Sequence, residues 1–192
     1  MGGTRSDSPL FETLVVIMIV YLAQLITGVG GYMDTLFVLR GPVTDEWWTI
    51  VTSVYAHQNS LHLISNLLAL VLFGWPIARA TTRVRFHVFF VSTGAIAGIT
   101  QVLVTGGGVL GASGAIFALM GYLIAANRIS EVLASFVVVP RWATIAVFVG
   151  LAVLITWATA GEGIALIAHF TGFLLGLFLG RARVLRPKSR RR

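Results

Sequence analysis

Apolar residues in this chain come in long blocks, and the polar residues collect between them. Six blocks approach the ~20 residues that a helix needs to cross a bilayer: residues 10–29, 58–78, 86–105, 112–127, 137–158 and 163–180. The period-two alternation of a transmembrane β-barrel is absent. The pattern therefore predicts an all-α membrane protein, a six-helix bundle in which each span satisfies its own backbone hydrogen bonds. Residues 1–9 read as a short cytoplasmic N-terminus, 10–181 as the membrane domain and 182–192 as a basic cytoplasmic tail. Arg5 is the only cation ahead of the first block, and no small-residue cleavage site follows it, so the block reads as a retained span.

Composition agrees: 57% of the 192 residues are hydrophobic and 11% charged, with a mean hydropathy of +0.90. A soluble domain has about a quarter charged residues. The absence of cysteine excludes a disulfide framework, a thiolate metal site and a cysteine nucleophile, and no metal or organic cofactor is implied. The net charge of +7 is concentrated in a tail of Arg181, Arg183, Arg186, Lys188, Arg190, Arg191 and Arg192. No nucleic-acid-binding module accompanies it, so it reads as a topological anchor at the lipid surface. With both termini inside, Arg79, Arg83, Arg85, Arg128 and Arg141 also face the cytoplasm and Arg40 alone lies outside, as the positive-inside rule requires. Trp47, Trp48, Trp75, Trp142 and Trp157 fall near span ends, where interfacial aromatics belong. Residues 30–55 form the longest irregular stretch, and its paired tryptophans place it at headgroup level.

Polar side chains inside spans are costly and mark function. His62 and Asn66 in the second span, Ser113 in the fourth and His169 in the sixth all lie towards the outer ends of helices running from outside to inside. The fourth span, at ~1.5 Å per residue, is ~24 Å long against a ~30 Å hydrocarbon core, so Ser113 starts roughly 6 Å below the outer surface. His169, six residues into its own helix, lies about 9 Å down, at a depth where the two can meet. The glycine-rich approach Gly106-Gly107-Gly108-Val109-Leu110-Gly111-Ala112-Ser113-Gly114 suits backbone that lines a cavity. Free N–H groups at a helix start suit a developing oxyanion. Neutral histidine is a competent base for a serine hydroxyl near pH 7. No carboxylate is placed in the spans to orient His169, which predicts a Ser–His dyad; His62 and Asn66, at i and i+4 on one face, are candidate oxyanion donors. The small-residue pairs Gly94–Gly98, Gly172–Gly176 and Gly176–Gly180 read as packing seams. His57 and His87, near span ends, read as interfacial, with His57 just outside the site.

In order along the chain stand His57-Gln58-Asn59-Ser60-Leu61-His62-Leu63-Ile64-Ser65-Asn66, then Gly111-Ala112-Ser113-Gly114, then Ala168-His169-Phe170-Thr171-Gly172 with Gly176. These resemble the HxxxN, GxSG and AHxxGxxxG elements of the rhomboid family of intramembrane serine proteases. The resemblance implies Ser113 as nucleophile, His169 as general base and acid, and an oxyanion hole from His62, Asn66 and the Ser113 N–H. Gly111, Gly114, Phe117 and Gly172 would support them. It further implies a first loop lying partly in the membrane, a cap around residues 158–163 and a lateral gate at the fifth helix. Substrates would be single-pass membrane proteins cut near the outer face after a small residue, and the location a plasma membrane of prokaryotic inner-membrane type. Two positions depart from the pattern: Trp48-Thr49 stands where Trp-Arg is frequent, and Phe117 where a tyrosine often stacks on the histidine. A non-cleaving binder of the same fold would lack the serine or histidine, and a transporter would spread its polar residues to both faces; neither description fits.

Overall fold

A computed structural model describes residues 8–126 and 165–186, together with residue 146. Among the described residues, seven helices are delimited: α1 (Pro9–Val29), α2 (Met33–Phe37), α3 (Thr49–Tyr55), α4 (Ser60–Ala80), α5 (Arg83–Thr105), α6 (Ser113–Ala126) and α7 (Leu166–Arg181). By length and composition α1, α4 and α5 are able to cross a membrane, while α6 and α7 are shorter apolar helices of 14 and 16 residues. Five of the expected spans thus appear as helices close to their expected bounds. The fifth, 137–158, lies outside the described residues apart from residue 146, as do the segment 158–163 and the tail beyond residue 186.

Local chemistry accounts for the helix ends. Pro9 occupies the first turn of α1, where its missing N–H costs nothing. The Asn59 side chain caps α4 by accepting from the His62 N–H at 2.9 Å. Gly106 ends α5 in the left-handed region, at φ 70°.

The stretch 30–55 departs from the expectation of an irregular loop, because it contains α2 and α3. Helix α3 reads Thr-Ile-Val-Thr-Ser-Val-Tyr, rich in β-branched residues with low helix propensity. Tertiary packing supplies what propensity lacks: Val54 is buried against Gly94 of α5. The Trp48 indole N–H donates to the Thr35 carbonyl at 3.0 Å, and the Thr52 hydroxyl to the Leu36 carbonyl at 2.6 Å. Thr49, buried, donates to the Glu46 carbonyl at 2.6 Å. The loop is thereby anchored without an arginine at position 49.

Helices α6 and α7 meet backbone to backbone. A Cβ on Gly172 would enter the Gly114 carbonyl oxygen, one on Gly176 the Ala118 carbonyl oxygen, and one on Gly180 would stand 2.8 Å from the Tyr122 carbonyl oxygen. Across the other side of α6, a Cβ on Gly114 would lie 2.8 Å from that of Ala97 in α5. Small residues allow this approach where lipid offers no hydrophobic drive between helices. Leu70, Phe86, Phe90 and Leu119 fill the core, whereas Ile26, Leu61, Leu68, Val84, Leu103 and Phe178 are exposed. An apolar exterior of this kind suits lipid.

Polar contacts away from Ser113 also tie the elements together. Glu12 of α1 pairs with Arg83 at 2.6 Å and with His87 at 2.8 Å, so His87 ties α1 to α5. After α7, Leu185 is buried and its N–H donates to the Tyr122 hydroxyl at 3.2 Å, folding the chain back onto α6.

Candidate active site

The nucleophile candidate sits where a glycine-rich loop becomes a helix. That loop, residues 106–112, is pinned by the first loop at two places. Leu39 and Val109 exchange backbone hydrogen bonds at 3.0 and 2.9 Å, and the Gly111 N–H donates to the Ser53 carbonyl at 2.9 Å. Gly111 holds φ 134°, a region that penalises any side chain. A Cβ there would also lie 2.9 Å from Cε1 of His62. Two independent constraints therefore demand glycine two residues before Ser113.

Ser113 opens α6 and His169 lies in the first turn of α7. Because the Gly114–Gly172 contact brings the two helices together just below, the side chains meet: His169 Nε2 stands 2.9 Å from Ser113 Oγ. The imidazole is buried, with 7% of its surface exposed. Phe117, one turn along α6, stacks on it with ring centroids 4.3 Å apart and planes 13° from parallel. The Gln101 side chain of α5 accepts the Ala168 N–H at 3.0 Å, steadying the start of α7 where Ala165 offers no cap of its own. Nδ1 of His169 has no hydrogen-bond partner among the described residues. For Nε2 to accept the serine proton, Nδ1 must carry the ring hydrogen. The stacked ring of Phe117 is what orients the imidazole. Phe117→Ala is expected to lower kcat about two- to twelvefold, the equivalent of ~0.5–1.5 kcal/mol for an aromatic pair, whereas Phe117→Tyr keeps the stacking face and should keep most of the turnover.

His62 lies on the α4 turn that faces Gly111, and its Nε2 would be 3.1 Å from a Cβ on that glycine; Ser113 Oγ would be 3.7 Å from the same point. Its imidazole therefore shares one small volume with the nucleophile. Asn66 is buried one turn deeper, and its Nδ2 donates to the His62 carbonyl at 2.9 Å. In this conformation the Asn66 amide supports the backbone of α4. The structure thus brings together Ser113, His169, Phe117, His62, Gly111, Gly114 and Gly172, with Asn66 adjoining through His62.

Sequence reasoning passed over Gln24 and Gln101, each the single glutamine of its span. The cost of an amide in lipid was the available signal. Leu39 and Ser53 act through backbone atoms, which no side-chain pattern reveals.

A family model described as the rhomboid domain matches residues 44–186. The chain is 26% identical over 167 residues to Rhomboid protease GlpG of Haemophilus influenzae, covering 85% of this chain and 84% of that protein. It is 29% identical over 161 residues to RHOMBOID-like protein 4 of Arabidopsis thaliana, covering 82% of this chain and 38% of that protein. A third similarity, to Rhomboid protease GluP of Bacillus subtilis, is 33% identity over 79 residues, 41% of this chain and 16% of that protein. The chain spans most of the first relative and well under half of the other two.

Proposed function

The chain belongs to the rhomboid family, and from this premise of a multi-pass membrane serine protease we propose that it cuts transmembrane segments through a Ser113–His169 dyad. The observation that carries the reading is the 2.9 Å approach of a buried, stacked imidazole to a serine hydroxyl at a helix start. His169 Nε2 takes the Ser113 proton as Oγ attacks the scissile carbonyl carbon. The carbonyl oxygen becomes an oxyanion, held by the Ser113 N–H, His62 and Asn66. The imidazolium then returns its proton to the leaving amide nitrogen, the C–N bond breaks, and an acyl-enzyme remains. Water, giving a proton to the same imidazole, then attacks the acyl carbon, and the imidazolium returns that proton to Oγ as the C–Oγ bond breaks, which releases the acid and restores Ser113. Nucleophile, base and donors all come from the chain itself.

The charge asymmetry of the sequence, which predicts six spans with both termini inside, supports an outward-facing site in a plasma membrane, and the family resemblance gives the fifth span the role of lateral gate and residues 158–163 that of cap. Substrates are single-pass proteins whose helix unwinds near the outer face. Reconstituted with a single-pass reporter, the protein is expected to cut on the outer side of the reporter helix, as mapped by product mass. Cleavage confined to the inner half would contradict this reading.

The donors are unequal. His62→Ala is expected to lower kcat about 10²–10³-fold, the usual loss for one oxyanion donor. Asn66→Ala should lose less, because its amide serves α4 in the resting state. Steady-state kinetics on the reporter checks the order.

A further inference from the structure

Gln24 is an amide in an otherwise apolar reach of α1, and only 4% of it is exposed. Its two polar atoms grip one residue of another segment. Oε1 accepts the His57 N–H at 2.8 Å and Nε2 donates to the His57 carbonyl at 3.1 Å. This two-point clamp joins α1 to the turn that enters α4. An amide placed in lipid without partners is strongly disfavoured, so the pairing specifies where α1 docks.

His57 is itself 1% exposed, and its Nδ1 lies 3.1 Å from the Tyr55 carbonyl, which assigns Nδ1 as the donor. Burial, with the nearby His62 adding to it, pushes its pKa down from 6.5 to about 4, so the ring is neutral at working pH. That ring meets the His62 ring edge-on, with centroids 5.1 Å apart and planes at 67°. The His62 ring in turn lies against Gly111 beside Ser113. Packing against His57 and Gly111 is what locates it. A continuous path of contacts therefore leads from α1 to the oxyanion donor.

We propose that Gln24 is a positioning residue for the reaction: by clamping His57 from α1, it holds the His62 imidazole in place over the nucleophile. This rests on the protease reading above. Displacing a catalytic group by ~1 Å is enough to cost up to about 10²-fold in rate.

The test uses the full chain in liposomes with a single-pass reporter, and separates kcat from KM. Gln24→Met keeps the volume and removes the amide. It is expected to lower kcat roughly tenfold with KM unchanged, and to add nothing in a His62→Ala background. Gln24→Glu, whose uncharged form still accepts from and donates to His57, should recover most of the turnover. If Gln24→Met fails to fold, His57→Ala carries the same test without touching α1, lowering kcat in the native background but not beside His62→Ala. Unchanged kcat in Gln24→Met, or an equal loss in both backgrounds, would overturn the proposal. Ser113→Ala, run in parallel, separates the two readings: if it still cleaves, the dyad itself fails, whereas a dead Ser113→Ala beside a fully active Gln24→Met removes only the clamp.

Discussion

Ser113→Ala is expected to abolish cleavage of a transmembrane reporter while leaving a folded, membrane-inserted protein, and His169→Ala to do the same. The expected loss in kcat is about 10⁶-fold for either, the scale on which nucleophile and base act as one unit. The double variant should be no worse than the single ones, because the hydroxyl is reactive only when the imidazole can take its proton. Both variants are expected to stay folded, with His169→Ala losing only the Phe117 stack, ~0.5–1.5 kcal/mol. Ser113 stands at a helix start, and His169→Ala removes a ring whose Nδ1 has no hydrogen-bond partner among the described residues. Cleavage kinetics alongside thermal unfolding in detergent separates lost chemistry from lost fold.

The second large effect comes from a residue with no chemistry of its own. Gly172→Ala should cost both activity and stability, because its Cβ would enter the Gly114 carbonyl oxygen, which cannot move without moving α6. Gly114 is itself pressed against Ala97 of α5, so α6 has no free side to retreat to. The helices must part by about an ångström, which strains the seam by ~1–3 kcal/mol. The same shift pulls His169 from Ser113, with up to about 10²-fold lost in rate. Gly28→Ala provides the control: a Cβ there meets nothing within 4 Å, and helix propensity favours alanine. Unfolding midpoints and kcat for the two variants should diverge accordingly.

The parts of the fold written in hydropathy were legible. Long apolar blocks announce helices, and α1, α4, α5, α6 and α7 appear close to the expected bounds. The site was legible for a related reason. A polar side chain in lipid needs justification, and the structure brings Ser113, His62 and His169 together. Helices α2 and α3 were not legible: α2 is only five residues long, too short for a periodic pattern, and α3 is rich in β-branched residues of low helix propensity that become helical through packing on the bundle. Glu12 was passed over because one carboxylate barely changes the hydropathy of α1, yet it meets Arg83 and His87 of α5. The glycine seams were foreseen as packing. What the sequence did not convey is that Gly172 sets the distance between base and nucleophile, because that depends on which carbonyl it touches.

The central claim is that Ser113 is an activated nucleophile. It is tested most directly by labelling the purified, detergent-solubilised protein with a fluorophosphonate serine-hydrolase probe, beside Ser113→Ala and His169→Ala. Stoichiometric labelling of the native chain at Ser113, with none in either variant, is the result expected from the 2.9 Å contact. A folded native chain that takes no label, or equal labelling of native and His169→Ala protein, would contradict the account.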